Sequence, residues 1–102
     1  MQEVIIKIQK SPNKNKKYLA YLKNKRTGKV RKIHFGAHNY QQFKDTTKLK
    51  IYAKYNHLDP KRRQNYFSRH SGVRTKREAL KKEMKKSNGL YTAKILSHKF
   101  LW

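Results

Sequence analysis

Twenty-eight lysines and arginines stand against five acids in this chain of 102 residues, a formal charge of +23. No other property limits the fold so severely. Gathered into a compact body, these charges repel one another, and a polyanionic neighbour relieves the repulsion. Nucleic acid, acidic protein surfaces and anionic lipid all fit that description. Only 35% of the residues are apolar, so the core must be small. A domain of this size buries roughly two thirds of its unfolded surface, which makes a bound partner an expected contributor to stability. Twelve aromatic residues compensate in part, each able to bury on the order of 150–250 Å².

The cations are interleaved with Tyr, Phe, Ile and Leu along the whole chain instead of forming one tail. That pattern predicts a folded body with a charged skin, and the length predicts one domain over residues 1–102. The absence of cysteine rules out disulfides and thiolate metal sites and fits a reducing compartment. No apolar run approaches the roughly 20 residues that span a bilayer, and the first residues lack the pattern of a signal peptide. The expectation is a soluble chain, intracellular where it is made.

Local patterning predicts an α+β fold: a three-stranded antiparallel β-meander followed by two or three short helices. Residues 3–9 are β-branched and alternate Val4, Ile6 and Ile8 onto one face, the mark of a strand. Ser11-Pro12-Asn13-Lys14-Asn15 is turn chemistry. A second strand alternates Tyr18, Ala20 and Leu22. Arg26-Thr27-Gly28 makes a tight reversal into a third strand, Val30 to Phe35, ended by Gly36. The meander thus occupies residues 1–36. Residues 37–58 follow no clean period and read as an irregular insertion; the four-residue spacing of Ile51 and Tyr55 permits a short helix.

Residues 59–102 form the helical part. Asp59-Pro60 is a helix start, with Asp as cap and Pro where its missing N–H costs nothing, and the helix should stop near Gly72. Thr75-Lys76-Arg77-Glu78 opens a second helix as a capping box, and Asn88-Gly89 closes it. Its apolar content is thin, so it should lie on the surface. Thr92 to Trp102 reads as a short amphipathic helix or turn pinning the carboxyl end. The predicted core is Val4, Ile6, Tyr18, Leu22, Ile33, Phe35, Tyr66, Leu96, Phe100 and Trp102.

Catalysis finds little support. A nucleophile needs a neighbouring base and an orienting group, but Glu3, Asp45, Asp59, Glu78 and Glu83 are scattered, and Asp59 and Glu78 are better explained as caps. No cofactor or metal is expected: phosphate-loop and dinucleotide glycine motifs are missing, no HExxH stands among the histidines, and so much positive charge disfavours a cation. The candidate polyanion contacts are therefore basic clusters. They are the turn Lys14, Lys16 and Lys17, the hairpin tip Lys25, Arg26 and Lys29 beside Lys23, the first helix with Arg62, Arg63 and Arg69, and the second with Lys76, Arg77, Lys81, Lys82, Lys85 and Lys86. On the first helix Arg62, Tyr66, Arg69 and His70 share one broad face. Tyr66 is read as core more readily than as a stacking residue. The arginines either grip phosphates or pair with Asp59 and backbone carbonyls. Phe100-Leu101-Trp102 is read as closing the core before it is read as an anchor for a partner.

Several segments resemble a known family. They are Lys10-Ser11-Pro12, Lys16-Lys17-Tyr18-Leu19-Ala20, Gly28 through Ala37, His57-Leu58-Asp59 with Arg62, Tyr66 and Arg69-His70, then Thr92-Ala93, Leu96-Ser97 and Phe100-Leu101-Trp102. In this order they are similar to short basic proteins of unassigned activity encoded by large double-stranded DNA viruses of algae and protists. The resemblance covers about two thirds of the chain, and residues 59–70 and the closing Leu101-Trp102 are its more specific pieces. Residues 41–55 look like an insertion and residues 73–88 longer than usual, so contacts made there are peculiar to this member. The family offers no catalytic residues to carry over. The resemblance implies a non-enzymatic protein of the virion, or of the virus factory in the host cytoplasm during synthesis. The function expected first is a minor capsid-type component of a large assembly, its cations meeting acidic capsid proteins or packaged DNA. A nonspecific DNA-condensing protein is second, a ribosomal-type RNA binder third and an enzyme last.

Overall fold

The computed structural model describes residues 2–102. Three antiparallel strands, β1 (Glu3–Lys10), β2 (Lys16–Asn24) and β3 (Val30–Ala37), form a sheet in the order β1-β2-β3. A 3-10 turn at Ala53–Tyr55 and three helices follow: α1 (Pro60–Ser71), α2 (Lys76–Lys86) and α3 (Ala93–Phe100). This is the α+β architecture that the patterning predicts, with α3 packed between β3 and α2.

The central strand buries its predicted inward positions, and Lys17 and Leu19 beside them are buried as well. Tyr18, Ala20 and Leu22 have no exposed surface. The first strand does not keep its alternation, and the expectation that Val4 and Ile6 face the core is corrected: they are 43% and 52% exposed. Ile5 lies opposite Leu22 while Lys7 lies opposite Tyr21, so one extra residue stands between two consecutive partners. Such a bulge resets the period-2 rule. Ile5 and Ile8, three positions apart, both reach the core.

The helix boundaries follow their caps. The Asp59 carboxylate accepts from the backbone N–H groups of Lys61 and Arg62, Pro60 is the first helical residue, and Gly72 ends α1 with φ +68°. The Thr75 hydroxyl accepts from the N–H of Glu78 at α2, and that of Thr92 accepts from Ile95 at α3. Ile95 and Leu96 are fully buried, with Tyr18, Leu22, Phe35, Tyr52 and Leu101 in the same cluster. Ile33, Phe100 and Trp102 pack against it, half-buried. A side chain at Gly36, where φ is +82°, would place its Cβ 2.9 Å from Leu101 Cδ1. The missing Cβ is what lets the carboxyl-terminal segment close on β3.

Residues 37–58 carry little regular structure, yet polar groups hold them in the core. Asp45 is 1% exposed. Its carboxylate accepts from the Tyr18 hydroxyl, from Thr47 N (3.0 Å) and Oγ1 (2.6 Å), and from Tyr52 N (3.2 Å). Charge-assisted bonds of this kind are stronger than neutral ones, and four of them fix the loop around one buried anion. Lys44 N and Thr46 N donate to the carbonyls of Leu101 and Phe100, joining the loop to the carboxyl end.

Candidate functional site

The five acids decide where positive charge is left over. Glu3, 4% exposed, accepts from Arg31 at 2.6 and 2.8 Å and from Tyr91 N at 2.9 Å. The hydrogen bond from Arg31 holds its carboxyl below the usual range. Asp45 is buried in the loop, and Asp59 and Glu78 sit at the starts of α1 and α2. Glu83, 7% exposed, accepts from Ser71 Oγ at 3.0 Å and lies 3.8 Å from Lys94 Nζ. Among the described residues only Glu3–Arg31 and Glu83–Lys94 form ion pairs. Most of the cationic surface therefore has no internal counter-charge.

Backbone hydrogen bonds bring two predicted clusters to one end of the molecule. Gln2 N donates to Gly89 O and Lys25 N to Gln2 O, both at 3.0 Å. The hairpin tip (Lys25, Arg26, Lys29) thus lies beside the end of α2 (Lys85, Lys86), all five exposed. Arg77 and Lys81 are exposed along α2, while Lys82 Nζ donates to Ser71 O at 2.7 Å. Lys14 and Lys16 flank the β1–β2 turn at the other end of the sheet, where His38 N donates to Asn15 O.

One predicted contact is corrected, and two others are partly engaged inside the fold. Lys17 is 1% exposed; its Nζ donates to Tyr40 O at 2.6 Å and to Gln42 Oε1 and lies over the Tyr52 and Tyr55 rings. Burial lowers its pKa to about 8, against an attraction to Asp45 that raises it. Lys76 is half-buried, its ammonium donating to Lys99 O at 2.8 Å. Arg63 is half-buried too, with its guanidinium 4.5 Å from the centre of the Phe43 ring. Lys17 is thereby withdrawn from the surface, while Lys76 and Arg63 each spend part of the side chain on a contact within the fold.

On α1 the core reading of Tyr66 holds. Its ring stacks on Trp102 with centroids 4.0 Å apart and planes 3° from parallel. Arg62 and Arg69 are exposed. The Asp59 carboxylate bonds backbone, so Arg62 turns instead to Gln41 Oε1 at 2.9 Å. The two arginines flank a cleft of about 500 Å³ whose lining includes Lys17, Tyr40, Tyr66, His70 and Trp102 and no acid. Burial, then Arg69 and Lys94, lower the pKa of His70, so that ring is neutral at pH 7.

Sequence reading missed a buried polar chain across the three helices. His98 is fully buried; Nδ1 lies 2.9 Å from Tyr66 Oη, and Nε2 lies 2.8 Å from Ser71 Oγ. Ser71 has one proton and the Glu83 carboxylate only accepts, so Ser71 donates to Glu83. His98 Nε2–H must then donate to Ser71, and Nδ1 accepts from Tyr66. Burial pushes the His98 pKa down to about 4. The Ser71 proton points at the carboxylate and not at the imidazole, the reverse of an activated nucleophile. The one available signal was His98 itself, three residues after Ile95 and on its face of α3. His34 and His38 stand four apart, but on and beyond a strand, and among the described residues no group of three potential ligands could hold a metal ion.

Among the described residues no helix is long and apolar enough to cross a membrane. A family model described as "Family of unknown function (DUF5754)" matches residues 6–70, most of the sheet, the loop and nearly all of α1. No curated protein and no solved structure matches the chain.

Proposed function

The chain belongs to the DUF5754 family of unknown function, and for this member we propose a non-enzymatic, polyanion-binding structural role in the particle of a large DNA virus. The observation that carries the charge half of this reading is the placement of the acids. Three are buried, Asp59 caps α1 and Glu78 lies in the first turn of α2, so the surface meets its neighbours as a largely unrelieved cation. The viral half rests on the resemblance of the segments described above, and the role fits a minor capsid-type component bridging acidic shell proteins or contacting packaged DNA.

A second reading, a nonspecific DNA coat of the viral core, is favoured by the five cations gathered at the hairpin tip and the end of α2. Two measurements separate them. A coat that neutralises about six to ten phosphates loses roughly 10³–10⁵ in duplex affinity between 50 and 200 mM salt. A shell component stays with the capsid after the genome is released, at fixed copy number per particle. Replacing Lys25, Arg26, Lys29, Lys85 and Lys86 by Gln should flatten the salt dependence or abolish incorporation. If the variant keeps both duplex binding and incorporation unchanged, these cations are solvated surface and the proposal is wrong.

A further inference from the structure

We propose that the cleft beside α1 binds an unpaired nucleotide, its phosphate held by Arg62 and Arg69 and its base resting on Tyr40 and the accessible part of Trp102. This rests on the polyanion-binding reading and names the ligand of one part of that surface. Arg62 and Arg69 are seven residues apart on α1, two turns or about 10 Å along the axis, and they stand on either side of Tyr66. Neither has an acidic partner among the described residues. Guanidinium groups suit phosphate because their forked donors match its oxygens.

Charge alone would admit any polyanion, and the aromatic wall narrows the choice. Tyr40 is 72% exposed, with its carbonyl fixed by Lys17 Nζ at 2.6 Å. An aromatic ring in water, anchored through its backbone beside two arginines without acidic partners among the described residues, is a stacking platform of the kind that single-strand binders present. A volume of about 500 Å³ lies within the range of small-ligand sites. A base inside a duplex has no free face to offer, and an acidic peptide or a lipid headgroup has no need of the ring. The rigid wall behind it, Tyr66 stacked on Trp102, is held by the His98 chain.

The chain has a single tryptophan, and it lines the cleft, which makes the test direct. The full-length protein is titrated with oligothymidylate, a duplex, inorganic polyphosphate of equal charge and thymidine monophosphate, following Trp102 emission and competition. Oligothymidylate should change the emission and outcompete polyphosphate. The Tyr40→Ala variant, whose lost ring is exposed, should bind oligothymidylate about 10- to 100-fold more weakly and polyphosphate as before. Arg69→Gln should weaken both. If the monophosphate alone saturates the signal, the site takes free nucleotides; if only the strand does, it reads single-stranded nucleic acid. Equal binding of all the polymers with a silent Tyr40→Ala overturns the cleft assignment and leaves the polyanion reading standing. No binding of any of them overturns both.

Discussion

Lys17 makes the stability of this protein depend on alkaline pH in a calculable way. Its ammonium is buried beside Tyr40 O and Gln42 Oε1, with a pKa lowered from 10.5 to about 8 by burial. The unfolded chain therefore holds a proton that the folded chain has released across that window. The state binding more protons loses ground as pH rises, so folding should strengthen from about pH 8 to about pH 10.5. A shift of this size corresponds to about 3 kcal/mol, at 1.36 kcal/mol for each pH unit. Tyr18 carries the opposite sign. Burial and its bond to Asp45 raise its pKa from 10.0 to about 12. The unfolded tyrosine ionises first, and stability should fall above pH 10.

The surface lysines also repel one another less as they titrate, so the bare pH profile mixes two effects. Lys17→Met separates them, since it keeps an apolar stem and removes only the buried ammonium. The carbonyls it leaves unpaired cost the same at every pH. Urea unfolding of both proteins between pH 7 and pH 10 should show the wild type gaining about 3 kcal/mol relative to the variant. At a slope of about 1–3 kcal/mol per molar urea, the difference in midpoints should change by roughly 1–3 M. A difference that stays flat across this range would refute the placement of a protonated Lys17 in the core.

Other outcomes follow from single contacts. Gly36→Ala must hold φ +82° and push a methyl against Leu101 Cδ1 and Lys17 Cβ, so it should cost about 2–4 kcal/mol and lower Tm by roughly 10 °C or more. His98, lowered from 6.5 to about 4, stays neutral while its unfolded counterpart protonates; stability should fall as pH drops from about 6.5 to about 4, by about 3 kcal/mol, and a His98→Gln variant should lack this limb in calorimetry.

The sequence marks those features that depend on neighbouring residues. Asp59-Pro60, Thr75 with Glu78, Gly72 and Asn88-Gly89 act within one helical turn, and every one of these helix limits stands where the residues place it. The strands were legible where alternate positions reach the core, as in Tyr18, Ala20 and Leu22. Val4 and Ile6 misled because a bulge leaves no local mark in a run of β-branched residues; only the pairing with β2 reveals it. The cleft was half legible. The spacing of Arg62, Tyr66 and Arg69 put them on one face, but Tyr40 reaches that face only through the loop. Lys17 was illegible for a similar reason. On an alternating strand it reads as a solvent-facing cation, and it is buried because residues 40–55, remote in sequence, close over it.

The irregular loop explains why so few acids suffice. A chain with only 35% apolar residues must bury polar groups, and these cost free energy unless they are paired. A carboxylate is the most economical partner, accepting several donors at once. Asp45 satisfies the Tyr18 hydroxyl, Thr47 and a backbone amide, Glu3 satisfies Arg31 and Tyr91 N, and Glu83 anchors Ser71 and through it His98. Moving any of the three outward to neutralise a surface lysine would strand those donors, at about 1–3 kcal/mol for each, whereas an exposed ion pair returns at most about 1 kcal/mol. Interior acids are thus worth more to the fold than surface ones. The cationic skin follows from that allocation as well as from the number of lysines.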